Sequence, residues 1–582
     1  MTDLAESRKI EEIDRSGRVA SVGGHRSPIS GVDSFAASYV ATAGYDSRVT
    51  LWDRGSGAPI ASACHDHLVN QCRFSPDGRF LLTASSDYTA RIWAVPLLAP
   101  VATLHGQEDD VEMASWSASG TRVATASRDY RLRIFDTAGS LQRTIVGHTA
   151  DVISVEWLAD DRELVSSSDD GTVRRWDCAT GAELERYPLG GETDTVVVTT
   201  FGIIFAGNDR GEILTLRDGV VSTMSCHAAG IKRLVLHEGS RRLMSASYDR
   251  SVKIWLIEPD GDLTLIQQTE VPSVIWLRSA AFAGRDSLLF GTFGSTYAEF
   301  SLTRGTWDVA RVGDTFGVNS ACVHDDAVYS VGDAGIVRRN DVIINSLGSL
   351  CNFIVAWGSR IVTGGQLGIL FDAVSGEVLC RHRSPLNCGA TWRSGDGEML
   401  AIGSYTGEAL VFEQAVGGAV RFLRSVSLHD NAIKGLSCNG KSLFSVCATA
   451  AAAFHDVVTF GPVAVRLNAH DKIANGAAGL RDGSFVSVSR DRKLRFWTPA
   501  HCRALPTPHD HSIKCVSVLR SANFVATGSY DGKVAVYDCD RDEWPIVRQI
   551  SRFGISSLAA DEADSGFLAT CYDGQIYRIA TG

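Results

Sequence analysis

The sequence predicts an all-β protein built from about fourteen copies of one four-stranded unit. Three observations lead to this prediction. Segments that end in an aromatic residue recur along the chain with a period of about 41 residues, which indicates a repeat architecture. Each period divides into short β-branched and aromatic runs separated by Gly, Asp, Asn or Ser turns, which is typical of successive antiparallel hairpins. The length of 582 residues also exceeds what one hydrophobic core usually organises.

In the clearest copies, an aspartate stands six residues before an aromatic side chain. Four of these aspartates, Asp46, Asp87, Asp129 and Asp170, follow one another at intervals of about 41 residues, the period of the repeat. Alternation within runs such as TVRRW indicates a strand with two different faces, and the turn DDG favours a hairpin. Seven segments show the pattern: AGYDSRVTLWD, ASSDYTARIWA, ASRDYRLRIFD, SSDDGTVRRWD, ASYDRSVKIWL, VSRDRKLRFWT and GSYDGKVAVYD.

Seven weaker copies can be placed in the same register. Their turn positions fall at or near Asp209, Phe293, Asp333, Gln366, Thr406, Thr449 and Asp573. Fourteen copies divide the 582 residues into units of about 42 residues. The repeat therefore covers nearly the whole chain.

A histidine precedes the aromatic position by a nearly constant distance. Gly147-His148 leads to Trp176-Asp177, and His65 precedes Trp93 by the same number of positions as His148 precedes Trp176. This pattern resembles the WD40-repeat family. The resemblance implies β-propeller blades of four strands around a channel, and fourteen blades imply two tandem seven-bladed WD40 β-propellers. The layout is also similar to that of actin-interacting protein 1, without a sequence match that carries actin binding over.

The repeat register predicts the domain organisation. Residues 1–14 form a polar N-terminal extension, residues 15–303 the first propeller and residues 304–582 the second. In this family a strand from elsewhere in the chain completes the last blade of each ring. We expect RVASV at 18–22 to complete blade seven and TWDVARV at 306–312 to complete blade fourteen.

Composition narrows the classes of function. The 56 basic and 67 acidic residues give a net charge of −11, and no basic run interrupts that background, so direct binding of nucleic acid is not expected. No apolar stretch reaches the roughly 18 residues of a membrane span, and the amino terminus lacks the apolar core of a secretory signal. The sequence thus predicts a soluble, cytoplasmic protein without membrane insertion. The fourteen cysteines show no CxxC spacing, so neither a metal nor a cofactor is expected.

Two motifs suggest chemistry that their context does not support. Gly435 to Ser442 matches the phosphate-loop pattern, but the following LFSVC reads as a strand, whereas that loop needs a following helix. HDH at 65–67 and at 509–511 offers alternate histidines for a metal, without a carboxylate or cysteine partner at ligand spacing. We interpret the first as a hairpin turn and the histidines as packing residues.

The His, Ser, Asp and Trp positions contain the residue types of an acyl-transfer triad, but a catalytic site has no reason to recur in each blade. The family resemblance implies that they form a buried structural network instead. The predicted networks are His65, Ser85, Asp87 and Trp93; His148, Ser168, Asp170 and Trp176; His227, Ser247, Asp249 and Trp255; and His470, Ser489, Asp491 and Trp497.

Function is then expected on the surface, and the sequence predicts a non-enzymatic scaffold that assembles a multiprotein complex. The family commonly binds partners on one propeller face, near the turn aspartates. The candidate partner-binding residues are Tyr45, Arg128, Lys232 and Tyr248 in the first propeller, and Tyr405, Lys434, Arg490, Lys514, Tyr530 and Tyr572 in the second. The second set favours a partner segment with acidic and hydrophobic residues. Two alternatives stay open: a propeller enzyme with a channel active site, and a targeting subunit that recognises nucleic acid or modified peptides.

Overall fold

A computed structural model describes residues 23–581, except residues 37, 218, 396 and 416. It contains fourteen separate antiparallel sheets, each formed by strands that are consecutive in the chain. Thirteen sheets have four strands, and the described part of the last sheet has three. The first strands of neighbouring sheets pack against one another around a channel, so each sheet is one blade. The predicted all-β fold of two tandem seven-bladed propellers is confirmed.

The chain divides into two compact units, and the first ends at Gly313. Its seven blades contain strands β1 to β28, four per blade. A short 3-10 helix, Glu238–Ser240, lies between β21 and β22. The strands are β1–β4 at Ile29–Phe35, Tyr39–Gly44, Arg48–Asp53 and Pro59–Cys64; β5–β8 at Val69–Phe74, Phe80–Ser85, Ala90–Ala94 and Ala99–Leu104; β9–β12 at Val111–Trp116, Arg122–Ser127, Arg131–Asp136 and Leu141–Val146; β13–β16 at Val152–Trp157, Glu163–Ser168, Thr172–Asp177 and Glu183–Pro188; β17–β20 at Thr193–Val198, Ile204–Asn208, Glu212–Arg217 and Val220–Ser225; β21–β24 at Ile231–His237, Arg242–Ser247, Ser251–Ile257 and Leu263–Glu270; and β25–β28 at Ile275–Phe282, Ser287–Thr292, Ala298–Ser301 and Thr306–Asp308.

The second unit begins at Asp314 and contains blades eight to fourteen. Its strands are β29–β32 at Val318–His324, Ala327–Gly332, Ile336–Arg339 and Val342–Ser346; β33–β36 at Cys351–Trp357, Arg360–Gly365, Ile369–Asp372 and Val378–Arg381; β37–β40 at Leu386–Ser394, Gly397–Ser404, Glu408–Gln414 and Val420–Ser427; β41–β44 at Ile433–Cys438, Ser442–Cys447, Ala452–Asp456 and Pro462–Arg466; β45–β48 at Ala474–Gly479, Phe485–Ser489, Lys493–Trp497 and Cys502–Pro506; β49–β52 at Ile513–Leu519, Phe524–Ser529, Lys533–Asp538 and Glu543–Gln549; and β53–β55 at Ile555–Asp561, Gly566–Cys571 and Ile576–Ala580.

The assignment of residues 306–312 to the last blade is wrong. Strand β28 pairs with β27, with Trp307 opposite Phe300, and so completes blade seven. The Trp307 ring lies 4.9 Å from the rings of both Phe290 and Phe300, which anchors this strand in unit 1. The division at residue 313 rather than at 303 follows from this packing. The other candidate closing strand, residues 18–22, lies outside the described residues.

The hydrophobic core lies between neighbouring blades. Ile145 of blade three and Trp157, Leu164 and Trp176 of blade four belong to one buried cluster, and similar clusters join the other blades. Both faces of each middle strand are therefore covered, which explains the continuous runs of small and apolar residues in the second strands. The fourteen cysteines are all free.

Each ring closes by contacts between its first and last blades. In unit 1, Ser34 Oγ donates to the carbonyl of Phe282 at 2.7 Å. In unit 2, Ser556 Oγ donates to the carbonyl of Val318. Among the residues that the structure describes, no helix is long and apolar enough to cross a membrane.

Candidate functional site

Blade four shows how the repeated polar residues are used. His148 Nδ1 lies 2.8 Å from Asp170 Oδ2, and His148 Nε2 lies 2.8 Å from Ser166 Oγ. The indole Nε1 of Trp176 donates to the same hydroxyl at 2.8 Å. Burial lowers the pKa of His148 although Asp170 opposes this shift, so the ring is neutral, with its proton on Nδ1 facing the carboxylate. Ser166 then accepts from the indole and donates to the imidazole, and every donor has an acceptor.

The hydroxyl that joins histidine to tryptophan differs from the predicted one. The sequence predicts Ser85, Ser168, Ser247 and Ser489 in this role, but the hydroxyls between the two rings belong to Thr83, Ser166, Ser245 and Ser487. Alternate residues of a strand share a face, yet stand roughly 7 Å apart, so only one is level with both rings. Each predicted serine instead accepts a hydrogen bond from the backbone N–H of the turn aspartate and donates to a loop carbonyl.

In each blade where it occurs, the network holds the strands of that blade together. His65, His227 and His470 repeat the contact of Nε2 with a strand hydroxyl at 2.8 Å. Burial opposes ionisation of Asp87, but His65 and Arg91 outweigh it and lower its pKa. The carboxylate is therefore held charged by its own blade. Because the imidazoles are buried against tryptophan, these groups do not face a substrate-sized opening.

A ring of β-bulges surrounds the channel of unit 2. In each of the seven first strands, one residue is skipped in the pairing with the second strand. Such bulges re-aim a side chain out of the regular ladder. The seven bulge residues, here called the unit 2 mouth, are Asn319, Asn352, Asn387, Lys434, Asn475, Lys514 and Ser556.

Most residues of the mouth connect one blade to the next. The amide of Asn352 donates to the carbonyl of Leu386 at 2.8 Å, and that of Asn387 donates to the carbonyl of Ile433 at 2.7 Å. Asn319 and Asn475 make the equivalent bond at 3.0 and 2.7 Å. These asparagines were not among the predicted site residues, although Asn475 follows His470 by the same five residues that separate Lys514 from His509. Lysine replaces the amide only in blades eleven and thirteen.

The predicted cations and tyrosines of the second propeller come together at this mouth. Lys434 Nζ lies 4.4 Å from the ring centre of Tyr405. Lys514 Nζ and the Arg490 guanidinium both lie 5.9 Å from the ring centre of Tyr530. These distances are those of cation–π contacts, which hold the cations in place beside aromatic faces.

The cavity at the mouth is positively charged. It measures about 440 Å³ and is lined by Lys434, Lys514, Tyr405 and Tyr572 together with the asparagines. Among the described residues that line it, none is Asp or Glu. Lys472 is a further cation near Arg490 and Arg492, outside the residues that line the cavity. Its pKa falls to about 8 because of burial and then because of the charges of these two arginines. Sequence reasoning missed Lys472, since only its surroundings distinguish it from an ordinary surface lysine.

The candidate cations of the first propeller occupy a different environment. Arg128 is only 5% exposed and forms ion pairs with Glu112 and Asp151. Lys232 is paired with Asp194 and Asp209. Both cations are therefore neutralised within unit 1, which does not favour their predicted role in binding a partner.

The two tyrosines of this first set also pack internally. The Tyr248 ring lies 5.1 Å from Lys232 Nζ, and the Tyr45 ring meets Trp276 edge-on at 4.9 Å. The neighbourhood of Lys232 is rich in carboxylates. Glu192 also lies there, and burial and then the charge of Asp209 raise the pKa of Glu192 to about 8. The structure thus brings together the six candidate residues of the second propeller, but leaves those of the first in an acidic, internally paired setting.

The phosphate-loop pattern at Gly435 to Ser442 is a hairpin. It joins β41 to β42, and the Asn439 side chain accepts hydrogen bonds from the backbone N–H groups of Lys441 and Ser442 at 3.0 and 2.8 Å. The interpretation of the following residues as a strand is confirmed. No helix N-terminus faces this turn within the described chain.

Comparison with known proteins agrees with the fold. The family model described as WD domain, G-beta repeat matches residues 17–53, 57–94, 98–136, 139–177, 219–255 and 501–538. These matches include five blades of unit 1 and blade thirteen of unit 2. Seven of the eight unmatched blades are the copies with weaker motifs, whereas blade twelve is unmatched although its Asp491 and Trp497 follow the pattern.

Curated relatives share part of this chain. A guanine nucleotide-binding protein subunit beta from Zea mays is 29% identical over 249 residues, which cover 37% of this chain and 66% of that protein. The corresponding subunit from Solanum tuberosum is 30% identical over 247 residues, with the same coverage. A ribosome biogenesis protein WDR12 homolog from Chlamydomonas reinhardtii is 26% identical over 328 residues, covering 47% of this chain and 73% of that protein. Each relative is thus matched over only part of its own length. The repeat motifs, the fourteen blades and these matches together show that the chain carries WD40 repeats.

Proposed function

We propose that this protein is a non-enzymatic scaffold, and that the unit 2 mouth binds a partner segment carrying acidic and hydrophobic residues. The observation that carries the proposal is the charge of the mouth. Two lysines line a cavity without a lining carboxylate among its described residues, in a chain whose net charge is −11. A local positive site on an acidic protein attracts an acidic segment and repels cationic ones.

The tyrosines supply the second half of this recognition. Tyr405, Tyr530 and Tyr572 are half-buried, and Tyr405 and Tyr572 line the cavity. Aromatic side chains of this kind contribute much of the affinity at protein interfaces, whereas charge mainly steers the encounter. A carboxylate beside an apolar side chain would contact a lysine and a tyrosine ring at once.

The names of the relatives support a role in assemblies. One is named as a subunit of a guanine nucleotide-binding protein and another for ribosome biogenesis. We therefore place the scaffold in a multiprotein complex, with the unit 2 mouth as one of its contact sites. Its cytoplasmic location stays a prediction, which imaging of the tagged full-length chain tests.

The alternative of a channel enzyme has less support. The recurrent His, Asp and hydroxyl groups are buried against tryptophan in several blades. Within the described part of the chain, no group of three His, Cys, Asp or Glu residues is placed to hold a metal ion. Metal analysis and an absorption spectrum of the purified protein test this alternative directly.

The test of the proposed site reverses its charge. We expect the double substitution Lys434→Glu with Lys514→Glu to weaken the binding of co-purifying partners by at least about tenfold, an effect that shrinks as salt rises. Lys441→Glu is the matched control, because Lys441 is an exposed lysine in the turn of blade eleven. Affinity purification with quantitative mass spectrometry compares the three proteins.

Tyr530→Ala tests the aromatic contribution at the same mouth. It should weaken the same partners with little dependence on salt, since it removes contact area rather than charge. Unchanged partner profiles for both mouth variants, with melting temperatures equal to that of the wild type, would show that binding lies elsewhere on the protein.

A further inference from the structure

The channel of unit 1 contains a second cavity, separate from the charged residues discussed above. It measures about 340 Å³ and lies among the first strands of blades one, two, four, five, six and seven. This is within the range of small-molecule sites in proteins, roughly 300–1,000 Å³. Four of its lining residues carry charge: Asp33, Arg73, Glu156 and Arg233. We call it the unit 1 channel cavity.

Three of these four charged groups are satisfied by the protein. Arg73 and Glu156 form a two-pronged ion pair, with Nη1 to Oε2 at 2.8 Å and Nη2 to Oε1 at 2.5 Å. The Asp33 carboxylate accepts backbone N–H groups from Phe74 and Ser34, each at 2.8 Å. These contacts occupy both oxygens of each carboxylate.

Arg233 is the exception. Its Nε is buried and has no hydrogen-bond partner, while the residue as a whole is half-buried and lines the cavity. Burial, and then the nearby charge of Arg73, lower the pKa of Arg233 to about 10, which still leaves it charged at neutral pH. A half-buried guanidinium with an unpartnered N–H group is incompletely satisfied, so an anion in the cavity that supplies an acceptor to this guanidinium would bind favourably.

The chemistry of the cavity selects one kind of anion. A guanidinium presents parallel N–H donors that match a planar carboxylate. Asp33 and Glu156 line the same space, and they would repel a group with two or more negative charges more strongly than one with a single charge. Val197, Val235 and Phe282 also line the cavity and can pack against an apolar body.

We propose that the unit 1 channel cavity binds a monocarboxylate with an apolar body, and that Arg233 is its anchoring residue. The carboxylate can belong to a free small molecule or to the terminus of a peptide. This site is independent of the proposed partner site at the unit 2 mouth, and its test can fail without affecting that proposal.

The experiment uses the full chain and isothermal titration with benzoate, with benzamide as a neutral analogue of nearly the same shape. We expect one benzoate site that depends on Arg233, and no measurable binding of benzamide to it. Arg233→Met should weaken benzoate by at least about tenfold, because it removes a charge-assisted hydrogen bond. Lys441→Met is the matched control, since it removes one positive charge from an exposed turn of unit 2 and should leave benzoate affinity unchanged.

Three further arms make the result decisive. Asp33→Asn should tighten benzoate several-fold, because it removes a negative charge from the cavity while keeping one of the two acceptors that the backbone uses. Inorganic phosphate should bind more weakly than benzoate. Acetyl-glycyl-phenylalanine, compared with its amide, shows whether a peptide carboxylate is also accepted.

If Arg233→Met does not fold, Arg233→Lys takes its place, with weakened binding expected. Absence of benzoate and peptide binding, or binding that both Arg233 variants retain, would overturn the proposal.

Discussion

Replacing Ser166 with alanine tests the hydrogen-bonded network of blade four at the position where sequence and structure disagree. The Ser166 side chain is fully buried, and its hydroxyl contacts both His148 Nε2 and Trp176 Nε1 at 2.8 Å. Alanine leaves these two buried groups without a partner. Each such loss costs about 1–3 kcal/mol, so the free energy of unfolding of unit 1 should fall by about 2–6 kcal/mol. The change in side-chain volume is small and adds little.

Ser168→Ala is the matched control, two residues further along the same strand. Ser168 accepts the Asp170 N–H at 3.1 Å and donates to the Ala150 carbonyl at 3.3 Å. These bonds are longer, and they belong to the turn rather than to the contact between the rings. We expect a loss of about 1 kcal/mol.

The assay is differential scanning calorimetry of the full-length variants, supported by urea unfolding followed by tryptophan fluorescence. The transition of unit 1 should shift more for Ser166→Ala than for Ser168→Ala, while that of unit 2 stays in place. A double-mutant cycle with Trp176→Phe should show strong coupling to Ser166→Ala. An equal or larger effect of Ser168→Ala, or the absence of coupling, would refute the assignment of the shared hydroxyl.

Two further predictions address the unit boundary and the titration of Lys472. A fragment ending at residue 313 should melt cooperatively at a higher temperature than one ending at 303, because the shorter one lacks β28 and the packing of Trp307; equal melting of both fragments would contradict this. The folded state lowers the pKa of Lys472 from 10.5 to about 8, so the unfolded state binds more protons between those values and stability should rise with pH across that window. Lys472→Met should remove this slope in urea unfolding of unit 2, whereas an unchanged slope would assign it to another group.

The repeat motif carried much of the fold prediction. Seven clear copies, each with an aspartate six residues before an aromatic, set a register that was enough to place all fourteen blades, including the weak copies near Phe293 and Gln366. Such patterns can be recognised in the sequence because the clear blades repeat the same local structure. Each has hairpin turns, a strand covered on both faces and a histidine that contacts its own blade.

Contacts between residues of different strands could not be predicted from the sequence in the same way. Sequence could not tell Ser166 from Ser168, because both point to the same side of one strand and only their height against His148 and Trp176 separates them. It also assigned Thr306–Asp308 to the wrong blade, because a fourth strand is defined by the strand it pairs with rather than by its own residues.

The sequence by itself determined the blades, their number and the residue types at their turns. Only the tertiary structure decided which charges face a cavity and which are neutralised. Arg128 and Lys514 were equivalent candidates in the sequence, yet Arg128 is buried among carboxylates while Lys514 lines a mouth without them among its described residues. The physical reason is that the energy of a charge depends on its neighbours in space, and in a closed ring those neighbours come from other strands of the same blade and of adjacent blades.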